Sequence, residues 1–260
     1  MAQCKDVSLA VAGKGGTGKT TISGIIIAHL INHTDTRVLA VDADPSTNLG
    51  FILGKDMTES LGDIREETID SMMDFSPGMT KAAYLELRIN QAVQEYDRFD
   101  LLSMGRPEGP GCYCYVNRLL RTALDTLSHN YDYVVMDCEA GMEHVSRRTS
   151  RAVDHLLIVT DTSVRGFDVA VRISDLADSL KNGIGKKHLL VNRSTEEIRD
   201  VMSGRIEKAA EQCNFSSVTI LPDDRMILGM DMEGKSVFDL SGKDMISGRI
   251  EALLNREIRV

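Results

Sequence analysis

Short apolar runs alternate along this chain with longer stretches in which apolar and polar positions mix. Several runs are continuously apolar, which is typical of strands buried on both faces of a sheet. The mixed stretches show helical periodicity. The predicted strands are residues 7–12, 37–41, 100–102, 133–136, 156–160, 189–192 and 218–221. The predicted helices are residues 21–31, 85–96, 117–128, 169–180, 197–211 and 247–255.

The regular alternation of strand and helix predicts an α/β fold, a doubly wound and mostly parallel sheet with helices on both faces. We expect one domain over residues 1–260, because the sequence has no repeat, linker or low-complexity segment. Residues 58–80 are rich in methionine and acidic side chains, and we expect a helical insertion there. In such sheets ligands bind at the carboxyl ends of the strands.

The first predicted loop carries a complete phosphate-binding pattern. Residues 13–20 read G-K-G-G-T-G-K-T and fit G-x-x-x-x-G-K-[ST] between a strand and a helix. Backbone N–H groups of such a loop surround a phosphate at the helix start. Lys19 is predicted to reach the β- and γ-phosphates, and Thr20 to hold Mg²⁺. The predicted nucleotide-binding residues here are Gly15, Gly16, Thr17, Gly18, Lys19, Thr20 and Thr21. The alternative is a glycine-rich turn that binds nothing.

Lys14 adds a second lysine to this loop, one residue after the first glycine. It lies on the wrong side of the loop to duplicate Lys19. Its side chain either binds the same phosphates from outside, reaches a nucleotide in a facing subunit, or is an ordinary solvated lysine.

Two predicted strands end in acidic residues. Asp42 and Asp44 follow the second strand, and two carboxylates at this spacing suit Mg²⁺ and the positioning of water. Asp-Pro also favours a simple turn. Asp137 ends the strand at 133–136, as in a Walker B motif, and Gly141 belongs to a loop suited to sensing the γ-phosphate.

The ends of the last two strands suit a nucleotide base. The amide of Asn192, followed by Arg193, can both donate to and accept from adenine. Pro222 and Asp223 follow the last strand and are placed to cover the ring edge. A capped turn is an equal alternative at both places.

A Cys-x-Cys pair, Cys112 and Cys114, follows the third strand after Gly-Pro-Gly. Two thiolates chelate a soft or borderline metal, but residues i and i+2 of a strand lie about 6.6 Å apart. Sulfurs that share a tetrahedral metal lie only about 3.8 Å apart, so the loop must bend. Two thiolates are half of a tetrahedral site, and a dimer supplies four. The alternatives are two small side chains or a strained disulfide.

Three further residues near Asp137 carry side chains that can bind a metal or take part in catalysis. Cys138 fits a metal or redox role less well than a small core-facing side chain. The role of Glu139 is open. His144 is expected to be structural, since the six histidines show no metal-binding spacing.

Charge and composition exclude several functions. The chain has 30 basic and 39 acidic residues and a net charge of −9, which argues against broad nucleic-acid binding. No apolar run approaches the roughly 20 residues of a membrane helix, and no cleavable leader is visible. We therefore expect a cytoplasmic protein with reduced cysteines, and neither a nucleic-acid nor a membrane partner.

The loop at 13–20 resembles the deviant Walker A ATPases related to nitrogenase iron protein, the arsenite-pump ATPase and the septum-site and partition ATPases. With V-D-A-D-P at 41–45, G-C-x-C at 111–114, D-C-E-A-G at 137–141 and V-N-R at 191–193, the sequence is most similar to the accessory ATPases that insert nickel into carbon monoxide dehydrogenase or acetyl-CoA synthase. These motifs span most of the chain.

The resemblance implies a homodimer promoted by nucleotide and metal, with slow Mg²⁺-dependent ATP hydrolysis. It implies that Lys14 reaches the partner's ATP, that Asp44 orients the attacking water, and that Asp42 and Asp137 support the Mg²⁺ shell. It further implies that Cys112 and Cys114 of two subunits share one Ni²⁺, with Zn²⁺ as an alternative, and that the client is carbon monoxide dehydrogenase or acetyl-CoA synthase.

Two rival functions use the same scaffold. An iron–sulfur scaffold or reductase has cluster cysteines at the dimer axis, but the closely spaced pair here suits a single ion better. A partition or positioning ATPase needs a basic face or an amphipathic anchor. The acidic balance opposes the first, and the mixed charges of residues 246–260 oppose the second.

Overall fold

The computed structural model describes residues 7–33, 35–56, 59–64, 80–106, 114–139, 152–180, 183–240, 244–258 and 260. Its centre is an eight-stranded sheet in the order β3-β4-β2-β5-β1-β6-β7-β8. Every neighbouring pair is parallel except β3–β4. The strands are β1 (Val7–Gly13), β2 (Val38–Ala43), β3 (Gln94–Glu95), β4 (Phe99–Ser103), β5 (Tyr133–Cys138), β6 (Val153–Thr160), β7 (Ile184–Ser194) and β8 (Ser217–Pro222).

Helices connect the strands. They are α1 (Lys19–His33), α2 (Asn48–Ile52), α3 (Lys81–Ala92), α4 (Cys114–Leu127), α5 (Val164–Asp178), α6 (Glu196–Cys213), α7 (Arg225–Met232) and α8 (Met245–Leu253). Short 3₁₀ turns cover Ser128–Asn130 and Val237–Asp239, and a π-helical turn at Leu254–Ile258 continues α8.

Successive side chains of the central strands point to opposite faces of the sheet and pack into two separate hydrophobic cores. On β1, Leu9 and Val11 pack with α1, α2 and α8, whereas Ala10 and Ala12 face the helices of the opposite side. This alternation follows from the two-residue period of a strand. It confirms the predicted doubly wound sheet with helices on both faces.

All seven predicted strands are present, most of them longer than predicted at one or both ends. The helix predicted for 85–96 is wrong at its end, because α3 stops at Ala92 and Gln94–Glu95 pair antiparallel to β4. The short helices α2 and α7 were not predicted. Of the insertion expected at 58–80, residues 61–64 are helical and 65–79 lie outside the described residues.

Two imidazoles form a buried polar cluster at the amino-terminal end of the sheet. His155 Nδ1 lies 3.0 Å from His188 Nε2, and His188 Nδ1 lies 2.8 Å from Ser217 Oγ. Burial lowers the pKa of both histidines, that of His188 to about 4, and the neighbouring His155 lowers the pKa of His188 further. The charged groups around them are Asp154, Lys186, Arg256 and Glu257.

We expect the contribution of His188 to the free energy of unfolding to fall as the pH drops from about 6.5 to about 4, whereas Asp42 and Asp137, whose pKa burial raises to about 7 and about 6, contribute in the opposite direction. In the unfolded chain histidine takes up a proton near pH 6.5, whereas folded His188 takes one up near pH 4. At this residue the unfolded state therefore binds more protons in this window, and the contribution of His188 changes by up to about 1.4 kcal/mol per pH unit. Urea unfolding of the wild type and of His188→Gln at several pH values measures the difference in slope.

His33→Gln is the matched control, because His33 is exposed on α1. It should keep the wild-type slope, whereas His188→Gln should lower the slope of the free energy of unfolding against pH by up to about 1.4 kcal/mol per pH unit. Equal slopes in all three proteins would show that the buried pair does not set the acid sensitivity.

Candidate functional site

The predicted phosphate loop joins β1 to α1 at the carboxyl edge of the sheet, with Gly13 ending the strand and Lys19 beginning the helix. Two glycines are required by close neighbours. A Cβ on Gly13 would lie 2.1 Å from the Val159 carbonyl oxygen, and one on Gly18 would lie 2.6 Å from Asn192 Nδ2. The loop therefore closely approaches the carboxyl ends of both β6 and β7.

The backbone of the loop has the shape of an anion cradle. Gly16 and Gly18 have φ values of +78° and +90°, a region that favours glycine. Above Gly15 and Gly16 the space is open, because a Cβ at either position would meet no atom within 4 Å. The Lys19 Nζ lies over the same loop, 3.3 Å from the Lys14 carbonyl oxygen. These features fit a bound phosphate chain.

Asn192, predicted at the adenine site, contacts the loop itself. Its Nδ2 donates to the Thr17 carbonyl oxygen at 2.8 Å, and its Oδ1 accepts from the Arg193 N–H at 2.9 Å. The side chain is buried. Thr17 is fixed further, because its hydroxyl donates to the Lys14 carbonyl oxygen at 2.8 Å. The adenine role of Asn192 stays a prediction, and the structure adds a role in holding the loop.

The other predicted base-contacting residues come together at the ends of β7 and β8. Pro222 pairs in register with Ser194, and the Asp223 N–H donates to the Ser194 carbonyl oxygen at 3.3 Å. Arg193 precedes Ser194 and has a positive φ of 57°. Arg193, Pro222 and Asp223 therefore lie at one corner of the sheet.

Asp42 and Asp137 are brought side by side by strand register, since they are directly paired residues of β2 and β5. Asp42 accepts from the Leu49 N–H at 2.8 Å and from the Asp44 N–H at 3.1 Å. Asp137 accepts from the Ser23 hydroxyl at 3.0 Å. Both carboxylates are buried beneath the phosphate loop.

Burial raises the pKa of Asp42 to about 7 and that of Asp137 to about 6, and hydrogen bonds from Thr20 and Ser23 partly offset the second shift. Two buried carboxylates in contact through register, with the hydroxyl of Thr20 beside them, form a donor set that suits Mg²⁺. Among the residues described, no three His, Cys, Asp or Glu side chains converge as direct ligands. The two paired carboxylates fit a hydrated Mg²⁺, which keeps several waters in protein sites and is usually bound by one or two carboxylates together with substrate phosphates.

Asp44 lies in the loop after β2, half-buried. Its Oδ1 accepts from the Ser46 N–H at 2.9 Å and from the Ser46 hydroxyl at 2.5 Å. The turn expected at Asp-Pro is therefore present, together with a carboxylate next to Asp42. The role of Asp44 in orienting water stays a prediction.

Lys14 is paired within its own chain. Its Nζ lies 3.1 Å from Asp161 Oδ2, and the two side chains are 37% and 30% exposed. Asp161 follows β6, and its Oδ1 accepts from the backbone N–H and the hydroxyl of Ser163. Burial opposes ionisation of Asp161, but the hydrogen bonds from Ser163 and Lys14 hold its pKa below the ordinary value.

Sequence reasoning missed Asp161, Ser163 and Ser23. A signal was present for the first two, because an acidic residue directly after a strand, with a serine two residues later, repeats the pattern of Asp44 and Ser46. Ser23 lies one turn into α1, where an isolated serine carries no signal.

Several predicted residues have no described environment. Cys112, Gly141 and His144 lie outside the described residues, and Cys114 is the first residue of α4 with its side chain not described. Cys138 is buried in the core, as expected of a small core-facing side chain.

The sequence profile of the AAA domain family matches residues 6–188. The chain is also 32% identical to the carbon monoxide dehydrogenase accessory protein CooC of Rhodospirillum rubrum, over 96% of this chain and 97% of that protein. The chain belongs to this family of P-loop ATPases. This ATPase is likewise 37% identical to an uncharacterised ATP-binding protein of Methanocaldococcus jannaschii, over 96% of this chain and 98% of the relative.

Solved structures share the fold of this ATPase. A ParA family ATPase from Chlorobium tepidum matches with a TM-score of 0.70 at 22% identity, over 96% of this chain and 99% of that one. The septum site-determining protein MinD of Pyrococcus horikoshii, complexed with Mg-ADP, matches with a TM-score of 0.68 at 19% identity over 97% of both chains. Among the helices described for this ATPase, none has the length and apolar character needed to cross a membrane.

We expect Gly18→Ala to lower the free energy of unfolding by about 1–2 kcal/mol and to weaken ADP binding. The added methyl group meets Asn192 Nδ2 at 2.6 Å and forces a side chain into a left-handed conformation. Urea unfolding and calorimetric titration with Mg-ADP measure the two effects.

Gly204→Ala is the control, since Gly204 lies in α6 with open space around it. It should leave ADP binding unchanged and stabilise the protein by up to about 1 kcal/mol through helix propensity. Unchanged ADP affinity in Gly18→Ala would contradict the assigned loop geometry.

Proposed function

We propose that this ATPase is an ATP-dependent metallochaperone that binds Ni²⁺ at a dimer interface and inserts it into carbon monoxide dehydrogenase or acetyl-CoA synthase. The observation that carries the proposal is the similarity to the carbon monoxide dehydrogenase accessory protein along almost the whole chain. The Cys-x-Cys motif at 112–114 supports it, because paired thiolates bind nickel.

We assign the binding and hydrolysis of ATP to the residues around the phosphate loop. Lys19 and the loop backbone from Gly15 to Gly18 bind the phosphates, and Lys19 Nζ moves from the Lys14 carbonyl oxygen to them. Thr20, Asp42 and Asp137 hold Mg²⁺, partly through water, and the ion neutralises phosphate charge when bound. Asp44 orients the attacking water. ADP and phosphate are the products.

Nucleotide-dependent dimer formation is assigned to Lys14. To reach a partner's nucleotide, its Nζ must leave Asp161 Oδ2, 3.1 Å away. Half-exposed ion pairs contribute at most about 1 kcal/mol. Phosphate oxygens of the partner's ATP, with a larger charge, are therefore strong competitors for this lysine.

Nickel is the cargo, and four thiolates from Cys112 and Cys114 of two subunits surround it. Thiolates bind metal when deprotonated, so affinity falls in acid. Hydrolysis in one dimer relaxes the loops around Asp42 and Asp137 and releases the ion to the client.

A positioning or partition ATPase is the second candidate, favoured by the fold shared with solved ParA and MinD structures. Positioning on a membrane would need an exposed apolar helix face at an anchor. Helix α8 instead buries Ile246, Ile250 and Leu253 in the core.

We expect Lys14→Ala to lower the steady-state rate of ATP hydrolysis by about 10²–10³-fold, the effect of removing one donor from a charged transition state. It should also abolish the dimer that forms with a non-hydrolysable ATP analogue, measured by light scattering. ADP binding should persist, because Lys19 remains.

Lys235→Ala is the matched control, since Lys235 is exposed, pairs with Glu233 two residues before it, and lies outside the phosphate loop. It should behave as the wild type. A Lys14→Ala protein that hydrolyses ATP and dimerises normally would remove Lys14 from the mechanism and leave its ion pair with Asp161 as a surface feature.

For nickel, we expect one Ni²⁺ per dimer and a thiolate charge-transfer band when the reduced protein is titrated anaerobically. Cys112→Ser/Cys114→Ser should lose both signals. Cys213→Ser is the control, because it removes a buried thiol and leaves the pair intact. Ultraviolet absorbance and molar mass, followed together, measure the stoichiometry.

Nickel binding that survives the double substitution would overturn the metal site. Absence of nickel binding combined with a brown chromophore after iron and sulfide reconstitution would favour an iron–sulfur scaffold instead. Absence of both would leave a nucleotide-dependent dimer and turn attention to the positioning function.

A further inference from the structure

A groove runs between α5 and α6, away from the phosphate loop. It encloses about 550 Å³. From α5 it is lined by residues one or two turns apart, Val164, Asp168 and Arg172, and from α6 by Arg205 and Lys208. Residues at this spacing share one face of a helix, so each helix presents a continuous stripe to the groove.

The groove is basic in a strongly acidic protein. Three cations, Arg172, Arg205 and Lys208, line it with one carboxylate, Asp168, although the chain carries a net charge of −9. All three cations are exposed. A cleft lined by one sign of charge focuses the field and attracts the opposite charge.

These cations have no carboxylate partner in the described parts of the chain. Arg205 makes a weak hydrogen bond from its Nη1 to the Met202 sulfur at 3.6 Å. Lys187 on β7 differs from them, because its Nζ lies 2.7 Å from both carboxylate oxygens of Asp178. The groove cations are therefore available to carboxylates from outside.

Apolar side chains accompany the charges. Phe167 and Ala209 form a buried floor, and Val164 is 50% exposed at the end of the groove where α5 begins. Val201 lies one turn before Arg205 on α6 and is 81% exposed. Since α5 and α6 both start at the carboxyl edge of the parallel sheet, the exposed valines lie toward that edge and the cations farther along.

We propose that the α5–α6 groove docks an acidic amphipathic segment of a partner protein, with apolar side chains against Val164 and Phe167 and carboxylates against Arg172, Arg205 and Lys208. The occupant must carry both features, because the groove offers apolar surface and unpaired cations together. This docking surface is independent of nickel delivery.

The probe is a synthetic helical peptide of about 15 residues, near the minimum for an isolated helix, with leucines at a helical spacing and glutamates elsewhere. A second peptide replaces every glutamate with lysine. Fluorescence anisotropy should show at least about tenfold tighter binding of the glutamate peptide, and its affinity should fall with added salt because the pairs are exposed.

Arg172→Glu/Lys208→Glu should weaken binding of the glutamate peptide by about tenfold or more, through loss of two pairs and added repulsion. Arg249→Glu, an exposed charge reversal on α8, is the control and should bind as the wild type does. Mg-ADP binding and the unfolding midpoint should be unchanged in every variant, which separates loss of docking from loss of fold.

The proposal is overturned if the glutamate peptide does not bind, or if the groove substitutions leave its affinity unchanged. It is also overturned if the groove variant loses binding to a DNA duplex or to vesicles with anionic lipid while no peptide binds. A change in molar mass of the groove variant without peptide binding would instead identify an interface between copies of this chain, and would overturn it too.

Discussion

The register between β2 and β5 is the constraint on which the site depends. It pairs Asp42 on β2 directly with Asp137 on β5, and β5 is the neighbour of β1, the strand that leads into the phosphate loop. Burying two neighbouring carboxylates is costly, and their raised pKa values of about 7 and 6 express that cost. A shift of one residue in this register would turn one carboxylate to the opposite face of the sheet.

Hydrogen bonds offset part of this cost and connect the two carboxylates to helices α1 and α2. Asp42 accepts from Leu49 at the start of α2, and Asp137 accepts from Ser23 in α1. Asn192 adds a connection from β7, because its amide holds the Thr17 carbonyl oxygen. Strands on both sides of β1 thereby fix the loop, so its shape depends on the whole sheet.

The sequence was sufficient to predict the sheet and the position of the phosphate-loop motif between β1 and α1, because both signals are local. Continuous apolar runs predict buried strands, and the loop motif at 13–20 has a fixed spacing. The end of α3 and the strand β3 were not predictable in this way, since pairing of Gln94 and Glu95 with β4 depends on tertiary context. Helix α2 begins after Thr47, which has a left-handed φ of 51° and no side-chain cap hydrogen bond, so no local start signal exists.

Contacts distant in sequence were the hardest to predict. The partner of Lys14, Asp161, lies 147 residues away, and nothing in the loop motif indicates it. The contact of Asn192 with Thr17 has the same origin, because it spans 175 residues. The motif gives the residue types that bind nucleotide, whereas the fold decides which of them already have partners.

Solvent exposure decides which ion pairs in this ATPase can separate at little cost, so that the lysine can bind another partner. Lys187 is 9% exposed, contacts both oxygens of Asp178 and also donates to Ser174 at 2.8 Å. Removing that lysine from its partners would leave a buried charge unpaired, which is strongly destabilising. Lys14 and Asp161 are each about one-third exposed, so water can solvate both groups after they separate. Asp161 also keeps its hydrogen bonds from Ser163. Separation therefore costs little at Lys14, and that residue, rather than the buried Lys187, has the freedom to change partners.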